Sequence, residues 1–376
     1  VAEHEVSYAR TEEQDLIATT ARQYLEENID IGRVRELMMS DEGFDRSLWK
    51  EMADLGWMGL TIADAHGGAG LGFPEVGVLL EEMGRLVTPG PFFASAILAT
   101  TAIQVMGTES QCANLLPPLA TGETVSSLAL YEEPRGWNVL TPATKATRSG
   151  DGWSLDGHKR SVLDGHMADQ LIVTAMTDDG VAVFVVAKDA DGVDVTPEPV
   201  LDPTRRQAKV TLDSVSVGPE ARLGEGDPGA GLVRTLRLAS VALASEQVGG
   251  AQRCMEMSVD YAKNRYQFGR PIGSYQAIKH RCANMLMRVE HAKSTAYYAA
   301  RVTGDDTELA VAAPLASSIA SEAYIWVAGE NIQVHGGIGF TWEHDAHLYL
   351  KRAKSSSLLS GGPRHQRDQL GRAVGI

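Results

Sequence analysis

The spacing of apolar and polar residues divides the chain into three stretches of different period. From Thr11 to Asn28 the pattern is charged and helical, and Thr11 with Gln14 occupies the two places of a capping box, so a helix is expected to begin there. Phe44, Leu48, Met52, Leu55 and Met58 stand three or four apart and predict one helix over 44–60. The run Gly67-Gly68-Ala69-Gly70-Leu71-Gly72 predicts a turn, with another helix from Pro74 to Leu86. Pro89, Pro91, Pro117 and Pro118 punctuate the rest of this stretch, up to about 124.

Between about 125 and 223 the period changes to two. Trp153 to Gly157 reads as a short strand with a turn, and Leu171–Met176 and Val181–Ala187 are apolar runs joined by Thr177-Asp178-Asp179-Gly180, a strong hairpin signal. Val193–Thr196 and Ala208–Val217 continue it. From Gly229 the helical period returns. Ile278, Cys282, Met285, Val289, Ala292 and Ala296 form the seam of a packed antiparallel bundle, and Pro314 suits the first turn of a helix carrying Leu315, Ile319, Ala323 and Trp326 inward. No internal repeat is present. The fold class is α+β, mainly α: a helical domain over 1–124, a β-barrel or sandwich domain over 125–223, and a helical bundle over 224–376.

At 376 residues the chain exceeds what a single core serves, in keeping with several modules. Its formal net charge of -15, with no compensating basic stripe, disfavours duplex nucleic acid and an anionic membrane surface as partners. Cys112, Cys254 and Cys282 are widely spaced and fit no metal or redox motif, which suggests three buried thiols in a reducing compartment. The segment Val1-Ala2-Glu3-His4-Glu5 is acidic and no secretory signal, and no apolar run is expected to reach the length of a membrane span. The expected location is the cytoplasm.

Candidate chemistry is sparse. The glycines at 67–72 lack the preceding parallel strand that a dinucleotide fingerprint needs, and so does Gly336-Gly337-Ile338-Gly339, which follows a helix. His344 and His347 stand three apart without a third ligand and read as a solvated helix face, so no metal is expected. Two segments are more specific. One is Arg265-Tyr266-Gln267-Phe268-Gly269-Arg270-Pro271-Ile272, followed by Gln276; taken bare, it is a helix end breaking at Gly269 and Pro271. The other is Gln333-Val334-His335-Gly336-Gly337-Ile338-Gly339-Phe340, taken bare a helix C-cap.

In these two segments the chain resembles the acyl-CoA dehydrogenase family, which carries R-x-x-F-G-x-P and Q-x-x-G-G-x-G there. Leu55-Gly56-Trp57-Met58-Gly59-Leu60 with the glycines at 67–72 matches as well, and so does the order helices, sheet, helices. The resemblance implies an N-terminal helical domain, a middle β domain and a C-terminal four-helix bundle, assembled as a tetramer. It implies FAD as cofactor, an acyl-CoA thioester as substrate, and an electron-transfer flavoprotein as acceptor. Family members remove two hydrogens from Cα and Cβ of the thioester, a carboxylate taking the α-proton and the flavin the β-hydride. Each FAD is shared between subunits: one supplies β-domain residues around the flavin ring, its neighbour the bundle motifs around the diphosphate. Arg265, Gln267, Phe268, Gln276, Gln333, Gly336 and Gly337 match that second set, and a guanidinium forks well onto diphosphate oxygens.

The first set is eroded. Where the family carries T-E-P-x-x-G-S-D, this chain reads Leu130-Tyr131-Glu132-Glu133-Pro134-Arg135-Gly136-Trp137-Asn138. Where it carries a Trp and a hydroxyl for the flavin, Ser161 and Leu163 stand. The positions of the family's catalytic Glu fall on Ser360 and Ala239, neither of which accepts a proton at neutral pH. Glu246, about 10 Å further along the same helix face, is the candidate relocated base, with an exposed or capping role as its plain alternative. Three readings stay open: the subunit of a mixed tetramer that completes a homologous partner's FAD site, a self-sufficient dehydrogenase using Glu246, and an acyl-CoA binding scaffold without flavin. The family's mixed tetramers point to bulky substrates such as steroid side-chain thioesters.

Overall fold

In the computed structural model, which describes residues 10–133 and 137–376, the chain begins with the helix that its capping box announces. Thr11 Oγ1 accepts from the Gln14 N–H and the Gln14 side chain accepts from the Thr11 N–H, opening α1 (Glu12–Asn28). The segment Val1 to Glu5 and the positions Pro134-Arg135-Gly136 lie outside the described residues. Next come α2 (Ile31–Met39) and α3 (Arg46–Asp54). The helix expected over 44–60 is shorter at both ends. Asp45 caps it by accepting from the Ser47 N–H, and Gly56, at φ +79°, turns the chain out of it into a single 3-10 turn at Trp57–Gly59. Trp49 therefore fills the inner face, and Leu55 is left exposed.

The glycines at 67–72 form a turn bonded back to the preceding segment, the N–H groups of Gly68, Ala69 and Gly70 donating to the carbonyls of Ala63, Gly59 and Ile62. It leads into α4 (Phe73–Arg85). A π-helical stretch at Phe93–Ala99 runs into α5 (Thr100–Met106), followed by α6 (Glu109–Ala120).

The strands are β1 (Ser126–Ala129), β2 (Lys145–Ser149), β3 (Gly152–Leu163), β4 (Gln170–Thr177), β5 (Gly180–Ala187), β6 (Val193–Glu198) and β7 (Gln207–Val217), in one seven-stranded sheet. The spatial order is β1-β4-β2-β3-β7-β6, with β5 also paired to β4. The hairpin read at Thr177–Gly180 is present: Thr177 pairs with Gly180, whose φ is +117°. The short strand expected at Trp153 runs on to Leu163, with register shifts between Leu155 and Gly157 and again between Lys159 and Val162.

The remaining helices are α7 (Gly229–Asn264), α8 (Gln276–Arg301), α9 (Asp306–His335), α10 (Ala346–Leu359) and α11 (Gly362–Ala373), with a two-stranded hairpin, β8 (Tyr266–Gln267) and β9 (Arg270–Pro271), between α7 and α8. Pro314 lies inside α9, not in its first turn, because Asp305 caps the helix nine residues earlier by accepting from the Thr307 and Glu308 N–H groups. The inner face of α9 is consequently Ala312, Ala313, Ala316, Ala320, Tyr324 and Val327, while Leu315, Ile319 and Trp326 are only half-buried. Contrary to the expectation that no apolar run reaches span length, α9 is long and apolar enough to cross a membrane. It packs against α7, α8, α10 and α11 as the core helix of its unit.

Two compact units result. The first comprises the segment ending at Val34, Gly72–Thr88 and Ser240–Ile376, and the second Arg35–Leu71 and Pro89–Ala239. In the first, α4 and α7 touch backbone to backbone: a Cβ added to Gly84 would lie 2.0 Å from the Glu246 carbonyl oxygen, and one added to Gly249 would lie 1.8 Å from that of Glu81. In the second, Trp153, Leu155, Leu171, Val173, Phe184, Val210 and Val215 build the core of the sheet. Cys112 and Cys254 are buried, as expected, but Cys282 is only half-buried.

Candidate functional site

In the first unit the two specific segments meet at one end of the helices. α7 stops at Asn264, before the break expected at Gly269, and Arg265 is the hinge into the hairpin: its N–H donates to the Tyr261 carbonyl and its own carbonyl accepts from Ile272. Phe268 and Gly269 form the two-residue turn, at φ +53° and +83°, the left-handed pair of a type I′ turn. Phe268 is thus held in a conformation that costs an L-residue about 1–2 kcal/mol, and its side chain is 93% exposed. Hydrogen bonds brace the hairpin, Tyr275 Oη donating to the Gln267 carbonyl at 3.1 Å, while the Arg270 guanidinium lies 4.1 Å from the Tyr275 ring centroid. Arg265, Gln267 and Gln276, the first residue of α8, are exposed.

α9 ends beside this hairpin. Its last residue, His335, packs its ring 4.3 Å from that of Tyr261 on α7, so the two segments are neighbours through a ring contact. Gln333, Gly336 and Gly337 are exposed, and a methyl group added at Gly336 or Gly337 would meet nothing within 4 Å. A guanidinium-bearing hinge, an exposed amide and an unobstructed backbone fit the diphosphate end of a dinucleotide approaching from outside the unit. His344 packs its ring, tilted by 54°, 4.4 Å from that of His335, and His347 stacks on Trp342 at 4.9 Å.

The flavin-ring positions belong to the second unit and look different. Ser161 is exposed at φ +53°, in the irregular stretch of β3, with its N–H donating to Glu198 Oε2 at 3.0 Å. Leu163 is buried in the β module, its carbonyl accepting from Ser127 Oγ. Ser161 offers no ring and Leu163 no hydroxyl at the places where these were expected.

Sequence reasoning missed a buried charge cluster nearby. Lys159 is fully buried, and its Nζ reaches Glu132 Oε1 at 2.5 Å and Thr174 Oγ1 at 3.0 Å. Glu132 also accepts from Thr144 Oγ1 at 2.6 Å, from the Thr144 N–H at 3.0 Å and from the Ala143 N–H. Burial lowers the Lys159 amine to about 8 against the pull of Glu132. The Glu132 carboxyl is lowered as well: burial pushes it up, but four donors converge on it, against two acceptors for the amine. A signal existed, since Trp153, Leu155 and Lys159 share one parity of β3, and an inward lysine requires a buried carboxylate.

At the expected base positions, Ser360 caps α10 and shares a 3.0 Å hydrogen bond with Ser317 Oγ. Ala239 is buried. Glu246 is neither exposed nor a cap. It is buried and paired at 2.9 Å with Arg352, itself buried, whose other nitrogen donates to the carbonyls of Val87 and Thr88. To take a proton, Glu246 would have to leave a guanidinium without its counter-charge inside the first unit, which weighs against its use as a base.

Comparison with known proteins covers almost the whole chain. Residues 11–123 match the acyl-CoA dehydrogenase N-terminal domain, 127–215 its middle domain and 232–375 its C-terminal domain. The chain belongs to the acyl-CoA dehydrogenase family. Enzymes of this family are FAD-dependent oxidoreductases acting on the CH–CH bond of acyl-CoA. Acyl-CoA dehydrogenase IpdE2 of Mycolicibacterium smegmatis is 33% identical over 357 residues, 95% of this chain and 97% of that protein. Among solved structures, a variant of the Tcur3481–Tcur3483 steroid ACAD is 33% identical, with a TM-score of 0.88 over 97% of this chain and 98% of that one. The ChsE4–ChsE5 complex from Mycobacterium tuberculosis is 28% identical, with a TM-score of 0.90 over 98% of both chains. The family's fold of helices, sheet and helices is the one described above.

Proposed function

We propose that this chain is the subunit of a mixed acyl-CoA dehydrogenase that completes a partner's FAD site and leaves proton abstraction to that partner. One contrast carries the reading. The diphosphate-end residues stand on an open surface of the first unit, whereas the flavin-ring positions are Ser161 and a buried Leu163, and the base positions are Ser360 and Ala239. Two of the similar structures, the Tcur3481–Tcur3483 steroid ACAD and the ChsE4–ChsE5 complex, support assembly with a homologous subunit. In this role FAD, when bound, supplies the hydride acceptor for the thioester's β-carbon. The chain's own contribution is electrostatic and geometric: Arg265 neutralises diphosphate charge, Gln267 and Gln333 offer amide donors, and Gly336 and Gly337 leave room for close approach. The steroid ACAD among the similar structures suggests a bulky substrate such as a steroid side-chain thioester. Electrons pass to an electron-transfer flavoprotein, and the free thiols suit the reducing cytoplasm.

The test is to purify the full chain alone and after co-expression with a homologue that carries the catalytic Glu. We expect a colourless, inactive protein alone, and a yellow complex that reduces a dye acceptor with acyl-CoA. Stoichiometric FAD in the isolated chain, with dehydrogenase activity abolished by Glu246→Gln, would overturn the proposal.

A further inference from the structure

The first unit holds a residue that no part of this function yet uses. His335 is a buried member of the second segment, and its ring touches α7, the helix that leads into the first. Its Nδ1 is 2.8 Å from the Asn331 carbonyl one turn earlier in α9. A carbonyl only accepts, so Nδ1 carries the proton. Its ring is 4.3 Å from Tyr261, four residues before Arg265, and 4.4 Å from His344, which lies beyond the glycine turn. His344 Nδ1 in turn accepts from the Ala346 N–H at 3.1 Å. Asn331 is itself anchored: it is fully buried, and its Oδ1 accepts from Ser258 Oγ on α7 at 2.8 Å. Immediately after His335 the chain turns at Gly336 with φ +65°, and the backbone returns so closely that a Cβ on Gly339 would lie 2.8 Å from the His335 Cβ.

We propose that His335 is a positioning residue for the dinucleotide grip. Through Asn331 and Ser258 on one side and the Tyr261 ring on the other, it fixes the glycine turn at 336–339 relative to the Arg265 hairpin. Both segments are read as gripping the diphosphate end of one ligand, so their separation must be set before the ligand arrives, and preorganisation of this kind appears in affinity. The inference rests on the reading that these segments hold a partner's FAD. Burial lowers the His335 imidazole below the ordinary histidine value, with His344 adding to the effect and the Asn331 carbonyl opposing it. The ring is therefore neutral at physiological pH and places no charge of its own near the diphosphate.

Substitutions separate the bond from the ring. His335→Phe keeps a ring against Tyr261 and loses the Nδ1–H donor. His335→Asn loses the ring but places an amide N–H where Nδ1 stood. In the co-purified complex with the Glu-bearing homologue, FAD dissociation is tracked by recovery of flavin fluorescence on dilution, and melting temperature is recorded on the same samples. His335→Phe should weaken FAD binding about 3- to 10-fold, the range of one hydrogen bond, and His335→Asn should recover most of the loss. A merely structural role would lower the melting temperature of both variants while leaving the FAD dissociation constant of the folded complex unchanged, and that result overturns the proposal. Arg265→Ala is the control for the underlying reading. If it weakens FAD binding while both His335 variants bind like the parent, only the positioning role falls; if it has no effect, the assignment of this surface to FAD falls and the positioning role with it. Should His335→Phe fail to fold, Ser258→Ala tests the same chain of contacts from its α7 end, and parental affinity in that variant overturns the proposal as well.

Discussion

The pair Lys159–Glu132 gives the second unit its most sensitive point, and Glu132→Gln tests it. The change is nearly isosteric, so packing stays while the charge and one of the two accepting oxygens are lost. Lys159 is fully buried and would keep Thr174 Oγ1 at 3.0 Å and an uncharged amide oxygen as acceptors, with no carboxylate to balance its charge. Removing one member of a buried ion pair typically costs about 3–5 kcal/mol. The displacement of the Lys159 amine from 10.5 to about 8 is of the same order, about 3 kcal/mol, even with the carboxylate present. The amine can escape part of the penalty by losing its proton, and this gives the prediction a pH signature. Its folded pKa lies below its unfolded one, so between about 8 and 10.5 the unfolded chain binds more protons and stability from this group rises with pH. In Glu132→Gln the rise should begin at lower pH, and the deficit relative to the parent should shrink toward pH 10. Urea unfolding monitored by far-UV circular dichroism at several pH values measures this. Lys159→Met should cost less, because Glu132 keeps three donors, and the double variant should recover over half of the Glu132→Gln loss. A loss below about 1 kcal/mol at pH 7, or a deficit that grows with pH, would refute the reasoning.

The first unit supplies two further tests. Arg352→Met leaves Glu246 buried without its counter-charge and should lower stability by about 3–5 kcal/mol in urea unfolding; if Glu246→Gln in the same background restores it, the pair is structural. Phe268→Asn relieves a left-handed phenylalanine at an exposed tip, so melting temperature should hold or rise while FAD retention in the mixed complex falls; unchanged retention would remove Phe268 from the grip.

What the sequence disclosed depended on how local the cause was. The capping box at Thr11 and the hairpin at Thr177–Gly180 are decided within a few residues, and both were legible. The extent of α3 was not, because the apolar ladder from Phe44 to Met58 runs past two punctuation marks, Asp45 and Gly56, that outweigh it. β1 and β2 escaped notice for opposite reasons: β1 is buried on both faces and shows no alternation, and β2 is almost wholly exposed. Pro314 misled because Asp305 supplies a stronger start signal than proline does. At the site, Arg265 and the glycines at 336–337 were legible as a motif. The hairpin that presents Phe268 is local, but its turn holds a phenylalanine where Asn or Gly would announce it; the burial of Glu246 under Arg352 and the ring contact of His335 depend on contacts across scores of residues, which periodicity does not report.

The apolar length of α9 has a consequence for biogenesis. Of the helices that cover it, α7 and α8 precede it in the chain, but α10 and α11 are translated afterwards. A nascent chain paused between them offers the ribosome exit an alanine-rich rod with one side undressed, a natural client for holdase chaperones and, in overexpression, a nucleus for inclusion bodies. The yield of soluble material should therefore respond more to α10 and α11 than their small share of the fold suggests.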